Sequence, residues 1–231
     1  MKYIIILILN LFFIHASYSQ THELGIFMGG SNFIGDVGST RFISPKKLAI
    51  GGVYKWNRSP RYAWRISGII TKLEMIDSDS KDNSRNQRGY ETVKTIGEIS
   101  AGIEFNFFEF DLHKAGLHQT PYLYTGISAA TFKDVYINNQ NQLKERVKPA
   151  IGIPIILGYK LKLNHSFIVG AEIGARYLFT DNLDDSDIFK EATDSDPQID
   201  MRFGDLNNND WYVFTGITLT YTFGRQPCYC D

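Results

Sequence analysis

The sequence is short of several things, and each shortage removes a class of protein. Lysine plus arginine (24) nearly balance aspartate plus glutamate (25), and a net charge of −1 gives no reason to expect a nucleic-acid partner. After the first residues no apolar run is long enough for a spanning helix, which takes about 20 residues, so a helical membrane bundle is excluded. The only cysteines, Cys228 and Cys230, stand at the far end, and none lies near the N-terminus to carry a lipoprotein anchor. No repeat of solenoid period is present. Glycines cluster in "GGSNFIGDVGS", but no Gly-Lys-Ser or Gly-Lys-Thr and no helix pattern follows, so a phosphate loop is excluded and an outer loop expected.

What is present is aromatic, glycine-rich and alternating. Lys2, the run "YIIILILNLFFI" and the small polar "HASYSQ" follow the order of a secretory signal peptide, with cleavage expected after Ser19. Residues 1–19 are thus expected to be removed, 20–225 to form the folded body and 226–231 a tail. Hydrophobic (43%) and charged (21%) shares are ordinary, but Phe 16, Tyr 13 and Trp 3 beside Gly 20 favour many short strands.

Two-residue periodicity predicts eight strands, near 22–30, 47–57, 61–74, 94–108, 120–132, 147–161, 165–179 and 210–224. In "EISAGIEFNFF", Ile99, Ala101, Ile103, Phe105 and Phe107 alternate with Glu98, Ser100, Gly102, Glu104 and Asn106. In "SFIVGAEIGARYLF" an apolar face opposes Gly170, Glu172, Gly174 and Arg176, and the last strand sets Trp211, Val213, Ile217, Leu219, Tyr221 and Phe223 outward. Several strands exceed the usual five or six residues and reach the 9–11 or so that cross a bilayer. The fold class expected is all-β: an eight-stranded antiparallel transmembrane barrel in contact with outer-membrane lipid, its apolar faces outward.

The connections agree with this reading. Gaps after odd strands are all long, whereas 58–60 and 162–164 are very short, the asymmetry of short periplasmic turns and longer outer loops. Eight strands also put both termini on the periplasmic side. Tyr54, Trp56, Tyr62 and Trp64, bracketing the turn "NRSP", are expected in an interfacial girdle. The connection "EFDLHKAGLHQ" is too long for a minimal hairpin. It is either a loose turn with a short helix or a periplasmic contact surface, which would include His113, Lys114 and His118.

The blocks "ELGIFMGGSNFIGDVGS", "AIGGVYKWNRSPRYAWR" and "EISAGIEFNFFEFDLH", with the closing acidic loop and "YTFG", resemble the PorG family, outer-membrane barrels of the Bacteroidetes type IX secretion system. The resemblance runs through most of the chain and weakens in 75–93 and 133–146. It implies a small barrel without enzymatic activity, partnered by the periplasmic ring of PorK and PorN; no cofactor is expected. The implied role is support of protein export, sometimes linked to gliding.

Candidate chemistry follows from this topology. His22, His113, His118 and His165 all fall at the periplasmic end, so no histidine base stands at the outer rim for lipid chemistry. Lys55, Arg65, Glu98, Glu104, Glu172 and Arg176 point into the lumen, where charges of both signs can pair or line an ion path; pairing suits so narrow an interior. The acid-rich stretch from Asp181 to Asp210 reads as a solvated, self-repelling loop. Its aspartate spacings do not match the ordered calcium loop, so no metal site is expected. Cys228 and Cys230 stand two apart in an oxidising compartment, and a bond between them is strained in ordinary strand geometry. A disulfide to a partner, a strained local bond, metal capture with outside ligands and an inert tail all remain open for them.

Overall fold

A computed structural model describes residues 21–39, 41–112, 116–138, 142–164, 166–180, 183–185, 189–190, 199–200 and 209–224. Eight strands close a ring: β1 (Thr21–Ile34), β2 (Lys47–Asn57), β3 (Tyr62–Ile76), β4 (Glu91–Asn106), β5 (Gln119–Ile137), β6 (Leu143–Lys162), β7 (Phe167–Leu178) and β10 (Trp211–Phe223). Every neighbour is antiparallel, and β1 pairs with both β2 and β10. A two-residue pair, β8 (Phe189–Lys190) and β9 (Ile199–Asp200), forms a separate sheet that touches β5. Among the described residues no helix is long and apolar enough to cross a membrane.

Turn chemistry fixes the register at one end. In the β2–β3 turn the Ser59 hydroxyl accepts the amides of Arg61 and Tyr62 (3.2 and 3.1 Å), and between β6 and β7 the Asn164 side chain accepts those of Ser166 and Phe167 (2.9 and 2.8 Å). Short Ser and Asn side chains close such turns without help from distant parts of the chain. At the opposite end the β3–β4 connection holds a short helix α1 (Asn83–Arg88). Asp82 caps it by accepting the Ser84 amide at 2.8 Å, and Gly89 ends it in the left-handed conformation at φ 65°.

The alternation sorts residues onto two faces. Outward stand Ile70 (69% exposed), Ile99 (67%), Ile127 (68%) and Ile151 (61%), with many more aliphatic and aromatic side chains around the ring. A contiguous apolar exterior of this extent is unstable in water and suits lipid. Tyr54, Tyr62, Trp64, Phe105, Phe107, Phe167, Tyr221 and Phe223 are exposed near the short-turn end, where the Arg58 guanidinium stacks over Trp56 (5.2 Å). Aromatic bodies in lipid and polar edges in the headgroups suit both media at once.

Three local expectations are corrected. Within the expected loop 133–146, residues 133–137 and 143–146 are strand: β5 and β6 run on as a ribbon to Ile137↔Leu143, because cross-strand pairs hold it beyond the ring. The glycine cluster is not wholly a loop either, since Gly29 to Ile34 continue β1 against β10. Val213 is fully buried rather than outward-exposed. It pairs with Asn32, whose side chain receives the Ser44 amide (3.3 Å) and donates to the Phe42 carbonyl (3.1 Å), so the β1–β2 connection folds over the outer wall at this point.

Candidate functional site

The inward faces build a two-storey interior. Toward the short-turn end, Arg65 grips Glu172 through two parallel bonds (Nη1 to Oε2 and Nη2 to Oε1, both 2.9 Å), and the Tyr122 hydroxyl donates to the same carboxylate at 2.6 Å. Glu104 receives Lys55 (2.8 Å), Lys160 (2.6 Å) and, more distantly, Arg65 (3.5 Å). Five charged groups from five strands thus form one connected network, all essentially sealed from water. Arg65 also stacks over Tyr124 (4.9 Å), and Lys55 and Lys160 flank the Tyr122 ring (5.1 and 5.5 Å). A second group joins Glu98 to Arg176 (3.4 Å) and to the Tyr212 hydroxyl, with Arg176 over Phe214 (4.3 Å).

The upper storey is largely apolar, with the Glu98–Arg176 pair and Lys94 set into it. Phe27, Val53, Ile69, Leu73, Met75, Ile96, Phe132 and Phe214 meet inside the ring, with Val37 and Leu183 from the loops. At the opposite mouth the chain after β4 folds back. Phe110 is buried with its amide bonded to the Pro60 carbonyl (3.0 Å), Lys160 lies beneath its ring (4.7 Å), and Lys162 donates to the Leu112 carbonyl (2.7 Å). The described part of this connection is therefore an inward-folded cap rather than a loose turn with a helix.

Buried aspartates fasten the outer mouth. Asp77 accepts the Gly38 amide (2.9 Å), the Tyr90 amide (3.2 Å) and the Arg88 guanidinium (2.6 Å), while Arg88 and Arg85 also reach the Asp36 and Gly35 carbonyls, both at 2.8 Å. Asp185 pairs with Lys94 and accepts the Val135 amide (3.2 Å), and Asp210 accepts the Leu183 amide (2.8 Å). The acid-rich stretch is thus not simply a solvated loop, because Asp184, Asp185 and Asp210 are buried.

Burial pushes the Asp77 carboxyl up, but Arg88 and the two amides outweigh it and hold it below the ordinary carboxylate range. Its folded value lies below its unfolded one. The stabilisation is therefore complete above about pH 4, the ordinary aspartate value, and is lost as pH falls through the lower folded value. Hydrogen exchange, corrected for intrinsic rates, should find the Gly38 and Tyr90 amides equally protected at pH 7 and 5 and released in stronger acid. Protection unchanged at pH 2 would refute this coupling.

The structure brings Lys55, Arg65, Glu104 and Glu172 into one network and Glu98 with Arg176 into another. Sequence reasoning missed Lys160, Lys94 and Glu23, the last held by Asn57 and Thr220 (both 2.9 Å), and it missed the tyrosines that complete the networks. The signal was available: Lys160 shares the face of Gly158, and Glu23 that of Gly25 and Phe27. Of the proposed partner-binding residues, His118 is half-buried with its carbonyl taking the Lys162 amide (2.8 Å). His113, Lys114, Cys228 and Cys230 lie outside the described residues, as do His165, the expected signal peptide, the tail and most of the acidic loop. Among the described residues no group of His, Cys, Asp and Glu could hold a metal.

A closed ring of eight antiparallel strands, apolar outside, filled inside and short-turned at the end that carries both termini of the ring, defines a small outer-membrane β-barrel. The chain belongs to the DUF6089 family, described as a domain of unknown function, whose profile matches residues 2–231. No curated protein matches it. Among solved structures it is similar to Neisserial surface protein A (10% identity, 88% of this chain and 97% of that one, TM-score 0.48). It is also similar to Ail, the attachment invasion locus protein of Yersinia pestis (11%, 89% and 100%, 0.45), and to OprG of Pseudomonas aeruginosa (8%, 90% and 97%, 0.43). Likeness at this level carries no functional argument.

Proposed function

We propose that this protein is a non-enzymatic scaffold of the bacterial outer membrane that supports assembly or anchoring of the type IX secretion machinery by contacting its periplasmic PorK and PorN ring. The observation that carries the scaffold reading is the filled interior: among the described residues it is ionic below, largely apolar above and covered at both mouths, which leaves function to the surfaces. The secretion role draws on the sequence resemblance. The periplasmic face offers a shallow depression lined by Gly116, Leu117, Lys162, Leu163 and Asn164, and His113 and Lys114 precede Gly116 in the same connection of the sequence. Cys228 and Cys230 would reinforce the contact through a disulfide to the partner.

The test is affinity purification of the tagged barrel from detergent-solubilised outer membranes, with mass spectrometry run with and without reductant. The expected result is recovery of the ring proteins, part of which reductant releases, and loss of that part on deleting 226–231. A barrel recovered alone would overturn the reading in favour of a stand-alone surface barrel binding ligands or cells through its outer loops. The fastening of the outer mouth by Asp77 and Asp185 is the observation that favours that second reading.

A further inference from the structure

The β5–β6 ribbon outgrows the ring. The β6–β7 ladder ends at Gly152↔Leu178, followed only by the Phe179 amide to the Ile151 carbonyl (2.9 Å), whereas β6 remains paired to β5 out to Leu143. At about 3.3 Å per residue the ribbon stands roughly 25–30 Å past its last contact with β7. Two bonds made toward β7 by odd-numbered residues, Ile151 within β6 and Leu163 just after it, fix which way the backbone points. The amides of Leu143, Glu145 and Val147, and the carbonyls of these and of Pro149, therefore face the open side. Among the described residues no strand pairs with that edge, and positions 142–147 are all exposed.

The other edge of the ribbon is treated differently. There the Val135 amide is taken by Asp185 and the Lys133 carbonyl by Lys94 (2.9 Å). The ribbon itself is stiffened by Lys133–Glu145 (2.8 Å), Arg146–Asp134 (3.0 Å) and the Arg146 guanidinium over Tyr136 (5.0 Å). Pro149 removes one donor next to the rim, the usual guard against stray pairing, but leaves the run from Leu143 to Val147 able to pair.

We infer that the edge of β6 at Leu143–Pro149, with which no described strand pairs, is a docking strand on the outer side of the membrane for an extended partner segment in which acidic residues alternate with apolar ones. The side chains select that occupant. One face of β6 carries Lys144, Arg146 and Lys148; among the described residues only Arg146 of these has a carboxylate partner. The other face offers Val147 (69% exposed) and Leu143 (56%), with Glu145 between them engaged by Lys133 of the neighbouring strand. A strand added here gains main-chain bonds, and its alternate residues meet cations on one face and apolar groups on the other. A second copy is disfavoured: antiparallel pairing of this edge with itself sets odd residues against odd and even against even, so that in the registers centred on or beside Arg146 cations of the even face stand opposite one another.

The test uses the full chain in lipid nanodiscs and a fluorescein-labelled peptide of alternating glutamate and valine, followed by anisotropy. Saturable binding is expected. It should weaken at least about tenfold in Val147→Pro, which deletes an open-side donor while sparing the β5 ladder, and comparably in the Lys144→Glu, Lys148→Glu double variant, which leaves the backbone untouched. Heat-modifiable migration on gels verifies that each variant is folded. The same peptide with lysine in place of glutamate should bind at least about tenfold more weakly. No saturable binding, binding indifferent to both variants, or dimerisation of the chain through this edge would each overturn the inference.

Discussion

Replacing Glu104 with alanine should cost the barrel about 3–5 kcal/mol of unfolding free energy, because it strands buried charge rather than merely deleting a contact. Three cations, Lys55, Lys160 and Arg65, converge on this one carboxylate, and none has water to turn to. Arg65 retains Glu172, so the loss falls mainly on the two lysines. Urea titration of the detergent-refolded protein, read through Trp56, Trp64 and Trp211, measures the cost. Removing a stranded cation as well should return part of it, so Glu104→Ala with Lys160→Met is expected to be less destabilised than the sum of the single variants by at least about 1 kcal/mol. A loss below about 1 kcal/mol for Glu104→Ala would mean that water reaches this layer and that the interior is open.

Most of the ring was legible because lipid enforces what a sheet merely prefers. Every backbone group in the bilayer must pair, so strands are long, alternation is strict, and a period of two read from "EISAGIEFNFF" survives into the structure residue by residue. The inward charges were legible for the same reason: Glu98, Glu104, Glu172 and Arg176 each stand among glycines and small residues on the face opposite an unbroken apolar one, which the period assigns to the lumen. Legibility failed where the chain leaves the membrane. Between 133 and 146, polar residues on both faces carry no period, and only the cross-strand pairs Lys133–Glu145 and Asp134–Arg146, invisible to a reading along the chain, make a ribbon of them. Val213 follows the period and is still buried, because a distant segment, residues 42–44, is clamped beside it by Asn32. The tyrosines of the lumen were missed because an aromatic residue in such a barrel reads as girdle, and only the facing strand reveals whether a glycine has left room for it inside.

Gly158 is that glycine for Tyr122, and Gly158→Ala should be the second costly change, at about 3 kcal/mol. The two residues are directly opposite in the β5–β6 register, and a Cβ on Gly158 would lie 2.2 Å from Tyr122 Cζ and 2.5 Å from its hydroxyl oxygen. An exposed tyrosine would swing aside. Tyr122 is held: its hydroxyl donates to Glu172 at 2.6 Å, and Lys55 and Lys160 flank its ring. Displacing it combines an overpacking cost of about 1–3 kcal/mol with loss of a hydrogen bond to a charged group worth about 1.5–3 kcal/mol. Gly97→Ala is the matched control, since a Cβ there meets nothing nearer than Thr131 Oγ1 at 3.6 Å, and it should change stability by less than about 0.5 kcal/mol. The decisive measurement is the cycle with Tyr122→Leu, whose shorter side chain vacates the clash. Steric conflict predicts that Gly158→Ala costs little in that background, a coupling of at least about 1 kcal/mol. Additive costs would mean that the glycine serves strand closure instead and that the ring of Tyr122 is free to move.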